Sequence, residues 1–321
     1  MVLGGLGLGA ACLPWRSRAE IVDFVVIGKD GWLFAIFDQN RSFDPAQMPP
    51  VIACINEAVD ILKRAGIATA ITITPAKSRI YAEYLPADFL PTAEAEKRYA
   101  AARGMLAGSG ALVPDLAAVM LDAKRANPAA PVFLKADTHW TGEGAEACAA
   151  AVARAIATGL RLPPGERHGD ALGPATTMRQ GINDLADDLP DALGKTYGPQ
   201  LYHIHPPLPV PAASGLLDDS TPDVLLVGNS FMQPRYNFAP MLSNQLDRPV
   251  SLAWRVHQAS PYRTLLEALG AAPYRRQKPK LLVWDFEETD VTALPDSPGV
   301  WGPNGMPAAD FLSRLRALAG G

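Results

Sequence analysis

Three segments leave apolar runs carrying residues able to do chemistry. Val224-Leu225-Leu226-Val227 ends in Gly228-Asn229-Ser230-Phe231. A serine held at the end of a buried strand projects into a cleft, beside backbone N–H groups that can hold an oxyanion. Ser230 is therefore a candidate nucleophile; the competing reading is a turn serine capping the next helix. Residues 131–135 form a second apolar run, followed by Ala136-Asp137-Thr138-His139-Trp140-Thr141. An aspartate two residues before a histidine can orient the imidazole as general base for a serine supplied from elsewhere. The alternative is a structural histidine beside a helix start. In the third segment, Thr74-Pro75-Ala76-Lys77-Ser78-Arg79, Lys77 reads equally as a fixed positive charge near the cleft and as a solvated loop lysine.

These residues need a scaffold, and the pattern around them supplies one. Residues 23–27 and 32–36 read as a hairpin about Gly28-Lys29-Asp30-Gly31, a turn tolerant of positive φ. A helix over 49–65 ends at Gly66, and the β-branched run 68–73 has the character of a strand buried on both faces. Helices over 92–107 and 113–126 precede an expected strand at 131–135, and Thr141 can cap a helix running to Ala157. Residues 159–222 are rich in Pro and Gly, with one helical patch at 182–189, and a connection that long is more often functional than passive. Strands at 223–227, 250–256 and 280–286 then alternate with helices at 240–246 and 262–269. The expectation is an α/β fold, a doubly wound, mostly parallel sheet flanked by helices, in one domain over 23–321 with its site at the strands' carboxyl ends.

Composition narrows the function. The chain of 321 residues is 48% hydrophobic, enough for one sizeable core, and its net charge of −4 without conspicuous Lys/Arg clusters offers no footprint for nucleic acid or an anionic membrane. An uncharged sugar substrate fits that balance. No apolar stretch reaches the length of a membrane-spanning helix. Residues 1–22 are apolar and uncharged until Arg16, a signal-like or disordered segment that points to export, with no basic region before the apolar part. Cys12 lies within it, where Gly9 opposes a lipoprotein reading; Cys54 and Cys148 read as small core residues. No Cys/His cluster suggests zinc. His203 and His205 share a strand face but have no carboxylate nearby in sequence, and no metal or cofactor is expected. Glu287, Glu288 and Asp290 read as a solvated loop without a catalytic role.

Five motifs in order carry a family resemblance: Gly28-Lys29-Asp30-Gly31-Trp32-Leu33-Phe34; Pro75-Ala76-Lys77-Ser78 with Tyr84-Leu85-Pro86; Asp137-Thr138-His139-Trp140-Thr141; Gly228-Asn229-Ser230-Phe231; and residues 280–287. Over almost everything after residue 22 the chain resembles the alginate O-acetyltransferase family of AlgJ- and AlgX-like proteins. The resemblance implies a domain like the SGNH hydrolases that O-acetylates an exported polysaccharide in the bacterial periplasm, with a membrane acyltransferase partner delivering the acetyl group. It assigns Ser230 as nucleophile, His139 as base and Asp137 as orienting carboxylate. The Asp-x-His motif precedes the serine motif here as in that family, the reverse of the common SGNH order. Asn229 stands where the common serine motif has Asp, Tyr236-Asn237-Phe238 resembles the family's aromatic-Asn-Phe segment, and Arg255-Val256-His257-Gln258 replaces an Asn-containing stretch. Asn229, Gln258, Trp140, Lys77 and Tyr236 are therefore the candidates for oxyanion or substrate binding. The stretch after residue 286 leaves no room for a separate carbohydrate-binding domain of the kind some relatives carry. An SGNH esterase using water as acceptor, and a non-catalytic polysaccharide-binding scaffold, are the competing functions; the intact Ser, His and Asp argue against the scaffold. Alginate is only the family's name, and cellulose or another exopolymer is equally open.

Overall fold

The computed structural model describes residues 20–38, 43–181, 183–209 and 221–320. The signal-like or disordered reading of residues 1–22, with Cys12, lies outside them up to residue 19, whereas residues 20–22 are an ordered strand.

The centre of the molecule is a four-stranded parallel sheet of β4 (Ala68–Thr74), β7 (Val224–Gly228), β8 (Val250–Trp254) and β9 (Leu281–Glu287), in the order β4-β9-β7-β8. The two middle strands are apolar because both faces are covered, except that β9 carries a buried Asp285, bonded by Thr72 and Thr74 of β4, and ends in Glu287. Two groups of helices flank the sheet. One is α1 (Met48–Arg64), α6 (Pro261–Gly270) and α7 (Ala308–Gly320); the other includes α3 (Leu116–Ala126), α4 (Gly142–Gly159) and α5 (Phe238–Leu246). In α1, Val51, Ile52, Ile55, Ala58, Val59 and Leu62 recur at helical spacing and are all buried. Pro49 and Pro50 fall in its first turn, where a missing N–H costs nothing, and Gly66 adopts φ +77° just past its end. Thr92 caps α2 (Ala93–Ala107), Asp115 caps α3 and Thr141 caps α4, each side chain accepting a backbone N–H three residues on. The Asp115 cap is why α3 starts at Leu116 rather than at 113.

The hairpin is present as part of a three-stranded antiparallel sheet, β1 (Glu20–Val22), β2 (Val25–Ile27) and β3 (Leu33–Ala35). Asp30 and Gly31 supply the positive φ that its turn requires. Three expectations need correction. Residues 131–135 are not a strand: Val132, Phe133 and Leu134 are buried, but among the described residues their one ladder contact is an antiparallel bridge from Phe133 to Trp140, because the run folds back on the turn at 137–139 instead of joining the sheet. The Pro- and Gly-rich stretch contains an antiparallel pair, β5 (Thr176–Gln180) and β6 (Gln200–Ile204). Its helical patch at 182–189 holds only a single turn, Asp184–Asp187, and a second turn, Asp191–Gly194, follows it.

Parallel register brings all four carboxyl ends to one edge. Thr74 pairs with Glu287, Val227 with Trp284 and Gly228 with Trp254, so residues 75–79, 229–231, 255–257 and 287–290 emerge together.

Candidate active site

Ser230 opens a short 3-10 turn directly after β7. Its Oγ lies 2.8 Å from His139 Nε2, and His139 Nδ1 lies 2.7 Å from Asp137 Oδ1. An ionised carboxylate only accepts, so Nδ1 carries the proton, Nε2 keeps its lone pair and the Ser230 hydroxyl donates to it. Asp137 Oδ1 also accepts the His139 backbone N–H at 2.9 Å, while Oδ2 accepts Gln180 Nε2 at 2.9 Å and the Asp184 backbone N–H at 3.2 Å. Burial alone pushes the Asp137 carboxyl up, but the His139 hydrogen bond and charge, with these N–H donors, hold it well below the usual carboxylate range. Burial likewise opposes charging His139, yet Asp137, then Asp184 and Glu287, raise it above its ordinary value. Three segments far apart in sequence are thus joined in one hydrogen-bonded relay, and the sequence-expected Ser230, His139 and Asp137 are all in it.

The other expected site residues sort differently. Lys77 is not solvated: it is buried directly behind the relay, and its Nζ donates to Leu33 O at 2.6 Å, Lys135 O at 3.0 Å and Asp137 O at 2.9 Å. The rings of Trp32 and Phe34 stand 5.3 and 5.4 Å from that nitrogen. Burial pushes the amine down to about 7, against the raising pull of Asp137, Asp38 and Asp184. Trp140 is fully buried, donates Nε1–H to Phe231 O at 2.8 Å and stacks on Phe238 at 5.5 Å, so it is core beneath the Ser230 turn. Tyr236 is also fully buried and stacks on the His139 ring at 5.5 Å, limiting the tilt of the imidazole. Gln258 is exposed, and its backbone carbonyl accepts from Asn304; no bond ties its side chain to the triad. Asn229 Oδ1 accepts the Phe231 N–H at 2.9 Å, capping the turn, while its buried Nδ2 has no partner among the described residues. That orphan donor sits one residue from Ser230, and the Ser230 N–H, first in its turn, has no acceptor within that turn.

Sequence reasoning missed Gln180 and Asp184, which reach the triad from the 159–222 stretch. It also misread the acidic run after β9. Glu288 and Asp290 are buried: Arg79 and Arg98 bond Glu288 at 2.6 and 3.0 Å, and His257 Nε2 meets Asp290 Oδ1 at 2.7 Å. Burial would lower His257, but Glu287 and Asp290 raise it to about 10, so it is an imidazolium at neutral pH. Burial lifts Glu287 to about 7, against the pull of His257, and lifts Asp38 to about 7, with Glu287 adding to the rise. The sequence reads these carboxylates as solvated because their partners lie up to 212 residues away.

His203 and His205 do have carboxylates beside them, contrary to the sequence-based expectation. Their Nδ1 atoms meet Glu143 at 3.0 Å and Glu146 at 2.7 Å, fastening β6 along the first turns of α4. Cys54 and Cys148 are free and buried, as expected. Among the described residues, the one cluster of three or more metal-capable side chains is Asp137, His139 and Asp184, whose donor atoms already serve the relay.

A parallel α/β sheet with a Ser-His-Asp relay at its carboxyl edge defines a serine-nucleophile enzyme of the SGNH-like class. The family profile described as "SGNH hydrolase-like domain, acetyltransferase AlgX" matches residues 25–288, and the chain belongs to that family. It is 30% identical over 315 residues to the "Probable alginate O-acetylase AlgJ" of Pseudomonas aeruginosa, covering 92% of this chain and 76% of the relative. The protein of the same name from Pseudomonas syringae pv. tomato is 30% identical over 296 residues, covering 89% and 74%. Among solved structures, the O-acetyltransferase domain of Pseudomonas putida AlgJ superposes with a TM-score of 0.71 at 26% identity, over 94% of this chain and 99% of that one. Pseudomonas aeruginosa AlgX shares the fold, with a TM-score of 0.63 at 22% identity over 84% and 66%. The chain is an O-acyltransferase of this family.

Proposed function

We propose that Ser230, His139 and Asp137 move an acetyl group, through an acetyl-serine, onto hydroxyls of an exported bacterial polysaccharide. The observation that carries this reading is the unbroken relay of 2.8 and 2.7 Å within an acetyltransferase-family fold. His139 Nε2 takes the Ser230 proton as Oγ attacks the donor's acetyl carbonyl. The tetrahedral oxyanion faces the Ser230 N–H and the unpaired Asn229 Nδ2. Collapse expels the leaving group, which takes the proton from His139. A sugar hydroxyl then gives its proton to His139 and attacks the acetyl-serine, and as the bond from the acetyl carbon to Ser230 Oγ breaks, His139 returns the proton to Oγ. Alginate, named for the relatives, is the first polymer to try; the acetyl donor is an acylated membrane partner, and the site of action is the periplasm, which accords with the apolar character of the first fifteen residues.

The test is intact-protein mass after brief exposure to an activated acetyl ester, for wild type and Ser230→Ala, with and without oligosaccharide acceptors. An acetyl adduct lost in the variant, with transfer to sugar outpacing hydrolysis, is the expected result. An adduct that only hydrolyses indicates an esterase, and an adduct that survives in Ser230→Ala refutes the assignment.

A further inference from the structure

Asp184 begins a single helical turn inside the long excursion and lies against the turn that joins the relay's carboxylate to its base. Its Oδ1 accepts the Thr138 N–H at 2.7 Å and its Oδ2 accepts the Thr138 hydroxyl at 2.5 Å. Its own backbone N–H donates to Asp137 Oδ2 at 3.2 Å, and its Oδ2 stands 3.6 Å from His139 Nδ1. Thr138 is the residue between Asp137 and His139, so one side chain grips the middle of the Asp-x-His turn through both of its polar groups. A carboxylate is costly to hold against another carboxylate, and Asp184 is held beside Asp137 by its own backbone N–H bond to Asp137 Oδ2. Its side chain is 43% exposed, so the arrangement is not forced by close packing.

We infer that Asp184 is a positioning residue for the acyl transfer proposed above: it fixes the Asp-x-His turn through Thr138 and adds a second negative charge beside the imidazolium formed in each attack. The inference rests on that reading of the site. The charged and titratable groups around His139 are Asp137 on its own turn, Asp184 from the excursion, Glu287 at the end of β9, and the stacked Tyr236; Lys77 bonds the Asp137 carbonyl behind them. Removing one anionic neighbour makes the imidazolium harder to form. The acid limb of kcat/KM therefore moves toward lower pH as the charge is lost, because neutral imidazole, the active base, then persists to lower pH.

Two variants separate charge from grip. Asp184→Asn removes the charge but keeps an oxygen for the Thr138 N–H. Thr138→Val removes the hydroxyl bond and leaves the charge in place. With an activated acetyl ester, Asp184→Asn should lower the acid-limb midpoint by about half to one unit and reduce kcat by about tenfold with little change in KM. Thr138→Val should reduce kcat by a similar factor without moving the midpoint. If wild type acylates Ser230 and the Asp184→Asn midpoint stays where it was, whether activity is retained or falls in step with melting temperature, the inference is overturned. Failure of the site reading itself shows differently: wild type then forms no adduct at Ser230, or activity survives Ser230→Ala.

Discussion

Replacing Lys77 by Met keeps the length and most of the volume of the side chain while deleting the buried nitrogen that binds three carbonyls. Three N–H donors of an ammonium match the three acceptors at 2.6, 3.0 and 2.9 Å. Lys135 O keeps another donor, the Leu33 N–H at 3.0 Å, so the loss falls hardest on Leu33 O and Asp137 O. Hydrogen bonds to a charged group contribute about 1.5–3 kcal/mol each, offset by relief from burying a cation, and a net loss of about 2–4 kcal/mol follows. At about 2–4 °C per kcal/mol, the melting temperature should fall by roughly 4–15 °C. Catalysis should suffer separately, because Asp137 loses the bond that anchors its carbonyl behind the relay. A displacement of about 1 Å in a reacting group costs on the order of a hundredfold. Calorimetry and ester turnover well below the melting point measure the two effects independently. A Lys77→Met protein that melts early but acylates Ser230 at the wild-type rate would refute the claim that Lys77 positions Asp137.

Two further outcomes follow from local geometry. A Cβ on Gly142 would stand 2.2 Å from His203 O and 2.4 Å from Ile204 Cγ2, so Gly142→Ala should lift β6 from α4 and cost about 1–3 kcal/mol, read by chemical denaturation. Acylation should fall with it, since β5, paired with β6, carries Gln180. Glu287, raised to about 7 from 4.5, binds more protons folded than unfolded, so its contribution declines as pH rises from about 4.5 to about 7. Glu287→Gln should therefore flatten the loss of melting temperature between pH 5 and 6.5, and an unchanged slope would show that Glu287 does not titrate there.

The chemistry was legible because an apolar run that stops at Gly-Asn-Ser or continues into Asp-Thr-His marks a buried segment and the point where it leaves the core, although only the run before Ser230 is a strand. Boundaries moved mainly where a capping side chain set them, as Asp115 did for α3. The run at 131–135 misled because burial and apolarity are shared by strands and by chain folded under a turn; only a neighbouring strand distinguishes them. Gln180, Asp184, Lys77 and Glu288 were beyond reach for one reason. Each is a polar residue whose burial or bonding depends on a partner brought close by the tertiary fold, and the local sequence of a lysine clamping three carbonyls does not differ from that of a solvated one. The C-terminal helix α7 went unread in the sequence, although Phe311, Leu312, Leu315 and Ala319 recur at helical spacing and are buried.

The strand order carries a consequence for how activity comes into being. β9, last of the four in the chain, lies between β4 and β7, so the two halves of the sheet have no shared edge until it inserts. As the chain grows from its N-terminus, the histidine and its carboxylate appear first, the serine 91 residues after the histidine, and the strand that locks them together later still. Long-range pairing of this kind is slow to form, and a partly made chain has every reactive group but no relay. Catalytic competence therefore arrives at the end of folding, as a property of the closed sheet.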